Sequence, residues 1–142
     1  MKNHLRFWLL GWVLVLPAMV VVADATAATT RKAEIKYSVY GGEALTKVAQ
    51  EWNATFPDFV GKGGTQNGSF PMYNAYSQYS TSVTYRNTSG EVCKFTAGYV
   101  LNSTGPTFSS SAEKITPNAY CSISIYPRYS QPYEFTMNIS MY

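Results

Sequence analysis

Tyr133-Glu134-Phe135-Thr136-Met137-Asn138-Ile139-Ser140-Met141 alternates apolar and polar residues without a break. Successive side chains of a β-strand point to opposite faces. The pattern therefore specifies a strand with one face on a core and the other in water. The same two-residue period occurs in Glu34 to Tyr40, where Ile35, Tyr37 and Val39 share a side. Thr81 to Arg86, the turn Asn87-Thr88-Ser89-Gly90 and Glu91 to Leu101 give the strongest hairpin signal in the chain. Asn102 to Pro106 predicts a further turn, and Tyr120 to Tyr126 predicts a strand bounded by Pro117-Asn118 and Pro127.

One segment carries a different period. Ala44, Leu45, Val48, Ala49 and Trp52 fall on one helical face, and Glu43 and Lys47 stand four apart on the other. This predicts a helix from about Glu43 to Ala54, ended by Pro57, with Trp52 buried beneath it. The expected fold is mainly β, an antiparallel meander or sandwich with one helix packed on the sheet; an α+β arrangement is the alternative. The Gly-rich tract at 61–69 predicts a loop, with Asn67-Gly68 as a candidate type I′ turn.

The N-terminus has the order of a secretory signal peptide: Lys2 and Arg6, an apolar run from Phe7 to Val22, then Ala23-Asp24-Ala25-Thr26-Ala27-Ala28. Small residues place cleavage after Ala25 or Ala27. Residues 1–27 are therefore expected to be removed, and 28–142 to form a single exported domain, periplasmic or secreted, with no membrane span after cleavage. Cys93 and Cys121 are the two cysteines of the chain, and in an oxidising compartment they are expected to pair.

The net charge of +3 is scattered, with no basic block, so the electrostatic footprint of a nucleic-acid binder is missing. The one histidine, His4, lies in the signal segment. A Ser-His-Asp triad is thus excluded from residues 28–142. With the cysteines paired, zinc and EF-hand sites also lack their usual ligands. No cofactor or metal is expected. Ser111-Ala112-Glu113-Lys114 matches S-x-x-K, but its partner motifs are missing, and it predicts an exposed polar loop. Gly61-Lys62-Gly63-Gly64 lacks the spacing of a phosphate loop. Carboxylates such as Glu91 and Glu113 keep open a small carboxylate-based hydrolase as a minor alternative.

The positive signal is aromatic. All twelve tyrosines lie beyond residue 36. Tyr73, Tyr76 and Tyr79 recur every third position, and Tyr126, Tyr129 and Tyr133 are interleaved with Pro127 and Pro132. Tyrosine combines an apolar body with a polar tip and suits binding surfaces. Tyr73, Tyr76, Tyr79, Tyr129 and Tyr133 are the candidate partner-binding residues. The sequence thus predicts non-catalytic binding of a protein or glycan outside the cytoplasm. Asn53, Asn67, Asn87, Asn102 and Asn138 begin N-x-[ST] sequons, which bear on the surface only in a glycosylating host. Tyr133 to Tyr142, an alternating C-terminal strand ending in tyrosine, together with one disulfide, is similar to chaperone-assembled pilus subunits. That resemblance implies a structural or assembly subunit joined by strand exchange.

Overall fold

The computed structural model describes residues 33–72 and 77–142. These residues form nine strands: β1 (Glu34–Gly41), β2 (Leu45–Gln50), β3 (Phe59–Val60), β4 (Gly64–Pro71), β5 (Gln78–Asn87), β6 (Val92–Asn102), β7 (Gly105–Lys114), β8 (Cys121–Pro127) and β9 (Phe135–Met141). They build a four-stranded sheet in the order β4-β1-β9-β8 and a five-stranded sheet in the order β3-β2-β5-β6-β7. The mainly-β expectation holds. Within it, the two sheets make a sandwich, and β5-β6-β7 is the meander in the larger one.

Alternation along the strands supplies the core. From the smaller sheet Ile35, Val39, Phe70, Phe135, Met137, Ile139 and Met141 are buried. From the larger sheet Leu45, Val60, Val83, Tyr85, Phe95, Ala97 and Tyr99 face them and are buried too. Interdigitation of two apolar inner faces is the general solution for packed sheets. The C-terminal strand behaves as its pattern dictates, with Phe135, Met137, Ile139 and Met141 inward and their neighbours half-buried. It sits between β1, to which it runs parallel, and β8.

Cys93 on β6 and Cys121 on β8 form the disulfide, with Cα atoms 5.8 Å apart. The bond ties one sheet to the other. Closing a loop of this size contributes about 3–4 kcal/mol in the chain-entropy model.

Several expectations are corrected. The predicted helix at 43–54 is absent: Leu45–Gln50 is strand β2, paired on one side with β5 and on the other with β3. A register shift between Lys47 and Ala49 marks a β-bulge. Backbone pairing on both flanks outweighs a local apolar period, a common outcome for short segments whose propensity is weak. Trp52, expected in the core, is 79% exposed in the loop after β2.

The Gly-rich tract is a loop only at its start. Gly63, with φ of 65°, makes the turn, and from Gly64 the chain is strand β4. Asn67-Gly68 lies inside that strand, not at a turn. Gly68 is there for packing, because a Cβ would collide with the Tyr37 ring opposite. Finally, Ser111 to Lys114 belongs to strand β7 and is no loop.

Residues 1–27, read as the signal peptide, lie outside the described residues. Among the described residues no helix is long and apolar enough to cross a membrane.

Candidate functional site

The outer face of the larger sheet carries a shallow groove of about 460 Å³. Its floor follows from strand register. Ser80 on β5 stands opposite Gly98 on β6, which stands opposite Ser109 on β7. One row along, Gln78, Val100 and Thr107 align in the same way. Thr96 completes the lining on the other side, and Trp52 with Asn53 forms the wall beyond β5.

Gly98 shapes the floor. A Cβ there would collide with the Tyr79 carbonyl across the strand pair, so the floor at this point is bare backbone. None of the groove's lining residues is a carboxylate, lysine, arginine or histidine. The surface offers hydroxyls, amides and one large aromatic wall, and no formal charge.

The wall is held firmly. The loop at 51–58 is tied to both neighbouring strands by backbone and side-chain bonds. Glu51 N donates to Ser82 O at 3.0 Å and Lys47 N to Asp58 O at 2.8 Å. Gln50 uses both ends of its amide, donating to Ala54 O at 2.9 Å and accepting from Phe56 N at 3.0 Å. Lys47 Nζ donates to Phe56 O at 2.9 Å and pairs with Asp58 at 2.7 Å. Asn53 Nδ2 donates to Ser80 O at 3.3 Å, and Tyr85 Oη to Pro57 O at 2.8 Å. Phe56 anchors the loop inside, its ring 5.0 Å from Phe70 and 5.1 Å from Tyr37. Trp52 is thus an exposed side chain on an ordered support.

The candidate tyrosines divide. Tyr73 and Tyr76 lie outside the described residues. Tyr79 is among the residues lining the groove, but its side chain turns inward: it is only 5% exposed, and burial pushes its phenol up to about 12, against a smaller opposing effect of Thr81. Its position explains this, since the odd-numbered residues of β5 from Tyr79 to Tyr85 all face the core. Tyr129 is 69% exposed and meets Phe108 edge to face at 5.4 Å. Tyr133 is half-buried, with its ring 5.7 Å from Tyr99. Phe108 also meets Phe135 at 6.0 Å, so the β8–β9 loop packs on the larger sheet at the groove's end of the molecule. Tyr129 and Tyr133 therefore lie at the same end of the sandwich as Gln78 and Val100. Another tyrosine cluster, Tyr40, Tyr142 and Tyr120, lies at the opposite end, with successive centroids at 5.7 and 5.1 Å.

A smaller opening of about 230 Å³ lies between Lys36, Tyr126 and Arg128. Within it Arg128 pairs with Glu134 at 3.1 Å, and Glu134 also accepts from Glu34 N at 3.2 Å. The S-x-x-K positions are separated by the pleat. Ser111 lies opposite Thr96 on the outer face, whereas Lys114 lies opposite Cys93 on the inner one, so they cannot act as nucleophile and base. Among the sequons, Asn87 is buried and bonded to Glu91, and Asn138 is inside the central strand β9.

Sequence reasoning missed Trp52 as a surface residue. The available signal was Asn53 and Pro57 close behind it, both poor helix residues, in a chain otherwise patterned for strands. No protein-family model matches the chain, and no curated protein matches it.

Proposed function

We propose that the chain is an exported, non-catalytic recognition protein that binds an uncharged glycan across the outer face of the larger sheet. The observation that carries this is Trp52, exposed at 79% on a loop pinned to β2 and β5, beside a groove without charge. A single exposed aromatic needs no explanation. A tryptophan carried on a hydrogen-bonded loop at the wall of a polar concavity is different, because little loop entropy remains to be lost on binding.

The chemistry of the lining suits a sugar. An indole face accepts the C–H face of a pyranose ring, and Gln78, Ser80, Thr96 and Ser109 offer donors and acceptors to its hydroxyls. Tyr129, held on the inward-facing Phe108 ring, lies at the same end of the sandwich but is not part of the groove's lining. The signal-like N-terminus and the disulfide are consistent with work outside the cytoplasm.

The test is titration of residues 28–142 with neutral oligosaccharides, following the emission of Trp52, the one tryptophan beyond residue 27. Binding should shift that emission, resist added salt because no charge pair is involved, and disappear in Trp52→Ala. A partner from the native exported fraction that binds Trp52→Ala as well as wild type, with no response to any neutral glycan, would overturn the proposal.

A further inference from the structure

Three of the four sheet edges are protected. β7 and β8 lie next to each other at one side of the sandwich, where the Cys93–Cys121 bond joins their neighbourhoods. β3 is two residues long and follows Asp58. Short edges, charges and cover are the usual defences against strand addition.

Among the described residues β4 is neither short nor covered, and its flanking Lys62 and its Pro71 stand only at its two ends. It is eight residues long and is laddered to β1 along one side only. From Gly63 to Phe70 the sequence carries no charge and no proline. Thr65, Gln66, Asn67 and Ser69 are exposed. Among the described residues, no backbone hydrogen bond other than those to β1 reaches Thr65 to Phe70.

We propose that a second copy of this chain pairs with the free edge of β4, antiparallel, about a two-fold axis through Asn67. The β4 sequence is complementary to itself in that register. Thr65 meets the partner's Ser69, and Asn67 meets its own counterpart, so the outer face pairs hydroxyl with hydroxyl and amide with amide. On the inner face Gln66 meets Gly68 and Phe70 meets Gly64, large against small. Cross-strand pairs of this kind are the units that stabilise a sheet. A slip of two residues one way pairs Gly64 with Gly68. The same slip the other way pairs Gly68 with itself and brings Pro71 into the ladder. The two-fold contact is isologous and closes on itself, giving a dimer rather than a filament. It joins two four-stranded sheets into one and leaves the Trp52 groove, on the other sheet, uncovered.

Disulfide trapping tests the register. Residues directly opposite in an antiparallel pair have Cα atoms about 4.5–5.5 Å apart, within the range a disulfide spans. Under mild oxidation at high protein concentration, Asn67→Cys should cross-link into a covalent dimer. Thr65→Cys should stay monomeric alone, because its counterpart lies roughly 13 Å along the strand, yet cross-link when mixed with Ser69→Cys. Sedimentation gives the independent measurement. Asn67→Lys and Asn67→Asp should each weaken dimerisation at least tenfold, and the two variants mixed should restore it. All these side chains are exposed in the single chain, so the fold survives each change. Equal cross-linking of Asn67→Cys and Thr65→Cys, or an unchanged association constant in Asn67→Lys, overturns the proposal.

Discussion

The Tyr85 hydroxyl donates to the Pro57 carbonyl at 2.8 Å, which ties the Trp52 loop to a strand in the middle of the larger sheet. Tyr85 is itself fully buried, so the anchor point is part of the core. Tyr85→Phe keeps the ring and removes one hydrogen bond, leaving the Pro57 carbonyl without it. The expected cost is about 1–2 kcal/mol of stability. Amide exchange across residues 51–58 should accelerate, and glycan affinity should fall although residue 85 lines no part of the groove. Unchanged exchange in that loop would show that the other bonds hold it unaided.

Trp52→Ala separates packing from recognition. A core tryptophan would cost about 3–5 kcal/mol on truncation. An exposed one should change stability by no more than about 0.5 kcal/mol. Wild-type emission should resemble that of indole in water and be quenched readily by iodide. Glycan affinity should drop by about 2 kcal/mol or more, as for an anchoring aromatic. A large loss of stability in the variant would place Trp52 in the structural core after all.

How far the sequence carried depends on the range of the forces involved. The closing strand and the Thr81–Leu101 hairpin were legible because their partners are local or their burial pattern is strictly periodic. The cysteine pair was legible because the chain has just two cysteines, and the structure joins them. Leu45 to Gln50 was not, because its strand identity comes from β5 and β3, which lie elsewhere in the chain. The bulge between Lys47 and Ala49 also interrupts the two-residue period that would have marked a strand. Gly64 to Pro71 was hidden by glycine, whose role at position 68 is to admit the Tyr37 ring. The groove was hidden for the same reason as β2: its floor joins residues from β5, β6 and β7, and its wall depends on where β2 ends. The tyrosine spacing could not tell that Tyr79 turns inward, because its orientation follows from the register of β5 against β6.

Gly98→Ala tests the floor of the groove. The added methyl would meet the Tyr79 carbonyl and lie 3.0 Å from Ser80 Cα, both backbone atoms that cannot rotate away. β5 and β6 would have to separate locally. Overpacking of this kind costs about 1–3 kcal/mol. The same displacement should weaken glycan binding, whereas Gly61→Ala, with open space around its Cβ position, should leave binding unchanged. Equal behaviour of the two variants would mean that the floor is not the ligand surface.

Alkaline pH probes the buried phenols. Burial raises the Tyr79 phenol to about 12 and pushes Tyr85 higher still, with Tyr37 and Asp58 adding to the shift at Tyr85. An unfolded tyrosine ionises near about pH 10. Above that pH the unfolded chain has lost protons that the folded chain still holds, so unfolding is favoured as pH rises. The contribution of these residues is therefore complete below about pH 10 and is lost as pH climbs through the folded values. Tyr37 and Tyr99, also raised by burial, act in the same direction. Denaturant midpoints should be similar at about pH 8 and 9 and fall steeply beyond about pH 10. A late component of phenolate absorbance should appear together with the loss of near-ultraviolet circular dichroism. Tyr85→Phe, less stable at neutral pH, should show a shallower decline because one mismatched proton has been removed. If every tyrosine titrated reversibly near its ordinary value while the fold stayed intact, the phenols of Tyr79 and Tyr85 would have to reach water in the native state. The packing of β5 against the smaller sheet would then be looser than the buried rows of the sandwich require.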